Sequence, residues 1–182
     1  MSARYNFTLE SQDKRRDLPH KIIVGQNDTE TVPHVVLKFL AYLLFFRERL
    51  QIEPNLHNDS IPFVPDLVQL DYELRPKLWI ECGECSLGKL DKLAVKAPEA
   101  ELWVVKSSPA EVEQLLRAME KGDLRQGRYH VIGLDPEMIQ ELCGLLQYRN
   151  EVLWVSGEFD PPVMQFDFNG LWFDTAFTVA RF

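Results

Sequence analysis

The chain has 182 residues, 46% of them apolar and 26% charged, a composition that excludes intrinsic disorder and predicts one globular domain over residues 1–182. Its 28 acidic and 20 basic side chains give a formal net charge of −8, so no global positive field attracts nucleic acid or an anionic membrane. The longest apolar run, residues 35–46, is shorter than the ~20 residues of a membrane span. Because residues 1–10 lack the apolar core of a signal peptide, we expect a cytoplasmic protein of bacterial type.

The first predicted elements are a β-hairpin and a long helix. Residues 3–10 and 19–25 have the alternation of β-strands and flank a polar connection. Thr29 is expected to cap the helix, with Glu30 in the first helical turn. Apolar residues at helical spacing continue to Leu50, and apolar residues on the other faces indicate a helix covered on several sides, either inside the domain or in an oligomer.

The rest of the chain predicts alternating strands and helices and then a β-rich end. Ser108, Pro109 and Glu111 form a capping signal for one helix, and Asp135 with Pro136 forms another. The predicted elements are strands at 63–71, 77–82, 101–105 and 128–134, helices at 87–97, 108–121 and 135–148, and strands at 151–157, 163–168 and 171–177, the last two joined by a hairpin turn at Asn169-Gly170.

A Cys-x-x-Cys motif at Cys82 and Cys85 is compatible with zinc binding or with thiol redox chemistry. Zinc binding would require Cys143 and a histidine, and no histidine has the paired spacing of zinc ligands. Redox chemistry would require a thioredoxin-like context that the flanking sequence lacks. We therefore expect free cysteines in small buried sites and no zinc, with a thiol or zinc protein as an alternative. The histidines are His20, His34, His57 and His130.

Two acids on successive predicted strands indicate a different chemistry. Asp66 follows Pro65 directly, and Glu81 lies near the end of the strand at 77–82. If the two strands pair in register, these side chains lie about 5 Å apart on one face and can hold one divalent cation. Mg²⁺ or Mn²⁺ in such a site keeps several waters, one of which can be deprotonated to attack a phosphodiester.

Four motifs follow one another along the chain. They are Thr29-Glu30-Thr31, Glu48-Arg49-Leu50, Pro65-Asp66 and Leu78-Trp79-Ile80-Glu81-Cys82-Gly83. In this order, after a β-hairpin and around a leucine-rich helix, they resemble the YaeQ family of bacterial proteins. The resemblance covers most of the chain and is clearest over residues 29–106.

The resemblance implies a fold and a metal site. The fold is α/β and restriction-endonuclease-like, of the PD-(D/E)XK type, with a mixed sheet flanked by helices, an N-terminal β-hairpin and a β-rich C-terminus. Asp66 and Glu81 match the metal ligands of this superfamily, and the carbonyl group of Cys82 matches a third ligand. Glu30 resembles the acid of the first helix that supports the metal site.

The catalytic lysine is the point at which this sequence departs from the superfamily. Gly83 stands where the superfamily has a lysine two positions after the second acid. Some members supply this lysine from the next helix, where Lys89, Lys92 and Lys96 share a face. Lys92 matches a basic position of the family best, and Lys89 is next. His34 is a further departure, because an arginine is common at that position.

The resemblance leads to two functional hypotheses. The first is an Mg²⁺- or Mn²⁺-dependent nuclease that acts on nucleic acid through Asp66 and Glu81. The second is a catalytically inactive binding or regulatory protein with the same fold. Because the net charge of −8 opposes phosphate binding, nucleic acid would have to bind local basic clusters, at residues 14–16 or on the helix at 87–97. Membrane binding is not expected, and the oligomeric state stays open.

Overall fold

The computed structural model describes residues 2–54 and 61–182, which form a mixed α/β fold with four helices and eleven strands. The helices are α1 (Val32–Leu44), α2 (Leu87–Lys96), α3 (Pro109–Lys121) and α4 (Pro136–Leu145). The strands are β1 (Ala3–Ser11), β2 (Lys21–Gln26), β3 (Gln51–Ile52), β4 (Leu67–Leu70), β5 (Pro76–Cys82), β6 (Glu101–Lys106), β7 (Tyr129–Gly133), β8 (Arg149–Phe159), β9 (Pro162–Phe168), β10 (Leu171–Ala176) and β11 (Thr178–Arg181).

The strands form two mixed sheets. Sheet one has the order β10-β9-β8-β1-β2 and joins the N-terminal hairpin to the C-terminal strands through the parallel pair of β1 and β8. Sheet two has the order β11-β7-β6-β5-β4-β3, with β5, β6 and β7 parallel at its centre. Helices α2 and α3 connect these parallel strands, because a parallel pair needs a long crossover.

Helix α1 is enclosed between the two sheets. Its residues from Val35 to Leu44 are all buried, and it contacts strands of both sheets as well as α4. Phe39 of α1 stacks on Phe7 of sheet one with ring centroids 4.4 Å apart, and Ile80 of sheet two belongs to the same apolar core. The expectation that this helix is covered on several sides is confirmed, and the cover comes from its own domain.

Sheet two separates this core from a second apolar core. Along β5, Leu78, Ile80 and Cys82 face the core that contains α1, whereas Trp79 packs with Leu90 of α2 on the opposite face. Successive side chains of a strand point to opposite faces. The same alternation directs Glu81 toward α2, so β5 presents chemically different groups to the two sides.

The predicted bounds of the first helix are wrong at both ends. The helix begins at Val32, and Glu30 lies before it because the Glu30 carbonyl accepts a hydrogen bond from the Gln26 side chain at 2.9 Å. The helix ends at Leu44 although apolar spacing continues to Leu50. Phe46 and Leu50 continue that spacing from a turn, which contains Arg49, whose φ of 67° is incompatible with a right-handed helix.

Several other predicted features are confirmed. The hairpin of β1 and β2 is antiparallel, and Ser108 and Asp135 cap α3 and α4 by accepting bonds from Glu111 N and Glu137 N. The turn at Asn169-Gly170 joins β9 and β10 with positive φ angles of 51° and 86°, as this tight turn requires.

The remaining differences between the predicted and the observed elements concern their lengths and their arrangement in sheets. The strand predicted at 63–71 is only Leu67–Leu70 in β4, since Pro65 has no N–H to donate, and the helix predicted to reach residue 148 ends at Leu145. The N-terminal hairpin and the C-terminal strands β8 to β10 form a sheet of their own.

His57 lies outside the described residues. None of the described helices combines the length and apolarity needed to cross a bilayer.

Gly133 provides a test of the packing between α3 and sheet two. A Cβ atom at this position would lie 2.6 Å from Thr178 Oγ1, 2.9 Å from Val112 Cγ2 and 3.0 Å from Pro109 Cα. We expect Gly133→Ala to lower the free energy of unfolding by about 1–3 kcal/mol through overpacking. Gly144 of α4 is the matched control, because its Cβ would meet nothing within 4 Å and alanine favours a helix by about 0.5–1 kcal/mol. Urea denaturation followed by circular dichroism measures both changes, and equal stability of the two variants would contradict the close packing.

Candidate active site

A cavity of about 620 Å³ opens at the carboxyl ends of β5 and β6, where the first residues of α1 and α3 also meet. Glu30, His34, Gly83 and Lys106 are among its lining residues. In open α/β sheets, ligands bind in crevices at the carboxyl ends of the strands. Of the predicted acids, Glu30 lines this cavity, Asp66 lies 3.2 Å from its lining residue His34, and Glu81 is not among the lining residues.

Asp66 and Glu81 are opposite each other in sheet two. Leu67 pairs with Ile80 in the antiparallel register of β4 and β5, so one further step places Asp66 against Glu81. The two carboxylates nevertheless have different partners. Oδ2 of Asp66 accepts a hydrogen bond from the Cys82 backbone N–H at 2.7 Å, at the end of β5. The strands therefore bring the two residues together, while their side chains bind to different groups.

Glu81 is 4% exposed and lies in a polar contact between β5 and α2. Its Oε1 accepts a hydrogen bond from Trp79 Nε1 at 2.8 Å and contacts Lys89 Nζ at 2.7 Å. Burial raises the pKa of Glu81, and the neighbouring Asp66 carboxylate raises it further, while Lys89 and Trp79 act in the opposite direction. Of the two lysines expected at the site, Lys89 contacts a site carboxylate and Lys92 is exposed on the surface of α2.

Glu30, His34 and Asp66 form a second group, in which one ligand atom from each residue lies within 4.8 Å of the others. His34 Nδ1 is 3.4 Å from Glu30 Oε1, and His34 Nε2 is 3.2 Å from Asp66 Oδ1. The second contact has the distance of an ion pair but not the alignment of a hydrogen bond, so the buried Nε2 has no hydrogen-bond partner in the described part of the chain. The sequence patterns assigned no site role to His34.

Lys38 fixes the position of Glu30. Its ammonium group is fully buried and donates to Glu30 Oε2 and to the Gly25 carbonyl, each at 2.9 Å, and it also pairs with Glu53. Burial disfavours the charged form, but the bonds to Glu53 and Glu30 outweigh it and raise the pKa of Lys38. Buried charges persist in proteins when they are paired in this way. Lys38, in the middle of α1, therefore holds Glu30, the acid just before the start of this helix.

The sulfurs of Cys82 and Cys85 face different cores. Cys82 belongs to the core that contains α1, and Cys85 packs against the core on the α2 side. Burial raises the pKa of Cys85 to about 12, with a further contribution from Glu81, and burial raises the pKa of Cys82 well above its usual value. Thiols with raised pKa values stay protonated at neutral pH and are poor nucleophiles. Cys143 is also free and half-buried.

The family of the chain follows from comparison with known proteins. A model of the family described as YaeQ protein matches residues 2–155. The chain belongs to the YaeQ family. Two crystal structures of YaeQ proteins have the same overall fold as this family member. The protein from Xanthomonas axonopodis pv. citri is 24% identical, with 99% of this chain and 97% of that chain covered and a TM-score of 0.70.

The YaeQ protein from Pseudomonas syringae is 14% identical, with 100% of this chain and 96% of that chain covered and a TM-score of 0.74. At identities of 24% and 14%, the similarity to these two structures shows the fold of this YaeQ family member and nothing more. No curated protein matches the chain.

The protonation of His34 provides a test of the group around Asp66. Burial lowers the pKa of His34, but Asp66 and Glu30 outweigh it, so the net pKa is raised above 6.5. A raised histidine pKa stabilises the fold fully below the unfolded value of ~6.5, and this stabilisation is lost as the pH rises through the folded value. We expect an NMR titration in EDTA to give a His34 pKa above the ordinary histidine value of ~6.5, and Asp66→Asn to lower it. A His34 pKa that does not respond to Asp66→Asn would contradict the contact.

A second prediction concerns the ion pair of Glu81 and Lys89. Lys89→Met leaves a buried carboxylate without its cation, and we expect a loss of about 1–3 kcal/mol in the free energy of unfolding at pH 7. Lys92→Met, one turn further along α2 and exposed, is the control and should change it by less than about 0.5 kcal/mol. The loss should become smaller as the pH is lowered, because the raised pKa of Glu81 favours its protonation and a neutral carboxyl group does not need the cation. Similar losses for both variants in urea denaturation would rule out a specific role for Lys89.

Proposed function

We propose that this YaeQ family protein is a divalent-metal-dependent phosphodiesterase that acts on nucleic acid and has a PD-(D/E)XK nuclease-like architecture. The observation that carries the proposal is the contact of Asp66 with the end of β5, where its Oδ2 accepts a hydrogen bond at 2.7 Å from the N–H of Cys82, the residue that follows Glu81. Lys89 contacts Glu81 at 2.7 Å, and His34, which lines the cavity of about 620 Å³, lies 3.2 Å from Asp66. Two acids and a lysine next to a crevice are the groups that metal-assisted phosphodiester hydrolysis uses.

The donor atoms fit Mg²⁺ or Mn²⁺. Carboxylate oxygens of Asp66 and Glu81 and the carbonyl oxygen of Cys82 are the hard ligands that these ions prefer. The short distances within the group of Glu30, His34 and Asp66, and the absence of an aligned hydrogen bond at His34 Nε2, also favour a cation near Asp66. When bound, such an ion supplies a water of lowered pKa and stabilises the charge of the phosphoryl group.

The protein groups would hold and orient these ligands. The Cys82 N–H fixes one oxygen of Asp66, so its other oxygen remains available for a ligand. Trp79 and Lys89 both bind Oε1 of Glu81 and oppose the rise in its pKa that burial causes, which favours the ionised form that a metal ligand needs. Lys38 orients Glu30 at the edge of the cavity. Lys92, exposed on α2, would be accessible to a phosphate of a longer substrate.

The second basic cluster considered from the sequence, residues 14–16, is largely engaged in structure. Arg16 donates to the carbonyls of Leu43 and Leu44 at the end of α1, and Arg15 pairs with Glu158 and Asp13. Binding of a polyanion would therefore depend on the lysines near the cavity.

A catalytically inactive nucleic-acid-binding or regulatory protein is the second candidate. It is favoured by the ion pair of Glu81 and Lys89, because an ammonium group already neutralises the carboxylate that a metal ion would use. The two candidates share the fold and differ in whether metal binding leads to cleavage.

Cleavage assays with labelled DNA and RNA oligonucleotides distinguish them. We expect cleavage in Mg²⁺ or Mn²⁺ that stops in EDTA, and a loss of at least ~10²-fold in Asp66→Asn and Glu81→Gln, because each removes an ionised ligand. Glu113→Gln, which changes an exposed acid on α3, is the control and should keep full activity.

Cleavage that persists in EDTA, or that survives both site substitutions, would refute the metal mechanism. Mn²⁺ binding by calorimetry without cleavage of any oligonucleotide would favour the inactive binding protein.

A further inference from the structure

Lys106, the last residue of β6, is a buried cation outside the set of groups that the sequence predicted. Lys106 is 8% exposed, and its Nζ donates a hydrogen bond to the Gly83 carbonyl at 2.8 Å. Buried ammonium groups are normally paired with carboxylates, as Lys38 is with Glu30. Within residues 2–54 and 61–182, Lys106 forms no ion pair with a carboxylate. An ammonium group has three donors, so Lys106 has donors in excess of its one carbonyl partner.

The position of Lys106 is defined by the parallel register of β5 and β6. Cys82 pairs with Val105, and the Gly83 N–H donates to the Val105 carbonyl at 2.9 Å. Lys106 is therefore the residue on the neighbouring strand beside Gly83, the position at which the PD-(D/E)XK superfamily has a lysine. Gly83 leaves space there, because a Cβ would come no closer than 3.9 Å to His34 and Leu37.

Lys106 also shares its surroundings with the charged groups of the candidate site. It lines the cavity of about 620 Å³ with Glu30 and His34, and it lines a second cavity of about 240 Å³ with Cys85. A ligand in the cavity of about 620 Å³ would therefore meet Lys106 together with Glu30 and His34.

We propose that Lys106 contacts the phosphodiester group of the substrate and supplies, from β6, the cation that is absent at Gly83. The inference rests on the proposed phosphodiesterase function. Two N–H donors of Lys106 bind phosphate oxygens while the third keeps its bond to the Gly83 carbonyl. Lys89 is less suited to this contact, because its charge is neutralised by Glu81.

Oligonucleotide binding measured without cleavage tests this contact. The probe is a fluorescein-labelled single-stranded DNA of about 20 nucleotides, followed by anisotropy at low salt in Ca²⁺. We expect Lys106→Met and Lys106→Gln to weaken binding by about tenfold or more, the effect of one charge-assisted hydrogen bond. Lys106→Arg, which keeps the charge, should bind within a few-fold of the original protein.

Two controls separate the contact from general effects. Lys77→Met removes an exposed lysine of β5 and should leave binding unchanged. Mn²⁺ affinity, measured by calorimetry, should be unaffected by Lys106→Gln, whereas Asp66→Asn should abolish it. Circular dichroism identifies any variant that does not fold, and Lys106→Arg still reports the charge requirement if the neutral variants are unstable.

The binding and cleavage assays together separate the Lys106 contact from the proposed catalysis. Equal binding by Lys106→Gln and Lys77→Met, or no oligonucleotide binding by the original protein, would overturn the assignment of Lys106. Lys106-dependent binding in a protein that cleaves no oligonucleotide in Mg²⁺ or Mn²⁺ would support the phosphate contact and reject the proposed catalysis. Lys106-dependent binding together with cleavage supports both.

Discussion

The burial of Lys38 inside α1 is the constraint on which the candidate site depends. This helix lies between two sheets with apolar neighbours, and a single cation in its middle must find anionic partners. Glu30, just before α1, and Glu53, in the segment that follows it, are these anionic partners. Because the Glu53 N–H donates to the Asp66 carbonyl at 2.8 Å, the same cation also positions the backbone of Asp66. One buried charge thus connects the start of α1 to the edge of sheet two.

The alternation of side chains along β5 divides the chemistry of the site between two sides of sheet two. Ile80 and Cys82 contribute to the core around α1, while Trp79 and Glu81 face α2. The cavity is lined by Gly83 and Lys106 at the carboxyl ends of β5 and β6 and by Glu30 and His34 at the start of α1. Its polar groups therefore come from the points where strands end and a helix begins, and not from the packed faces of sheet two.

Much of the fold could be predicted from local sequence patterns, and much of the site could not. Strand patterns predicted the neighbouring strands β4 and β5, which bring Asp66 to the end of β5 beside Glu81, and short polar caps predicted the starts of α3 and α4. Lys38 interrupted an apolar run without indicating its partners, which are distant in sequence. Lys106 follows an apolar strand with no motif around it, so only the register with Gly83 shows its position. Contacts between distant segments carry no local signal, and the site consists mainly of such contacts.

The parallel pairing of β1 with β8 has a consequence for how the polypeptide reaches this state. Asn6 is aligned with Arg149, so one edge of the N-terminal hairpin gains its neighbour only after nearly the whole domain has been synthesised. A strand edge with unpaired backbone groups readily joins other strands, and pairings between distant segments form slowly. Residues 3–11 thus leave the ribosome well before their partner β8, and until β8 is available the free edge of β1 can pair with strands of other chains.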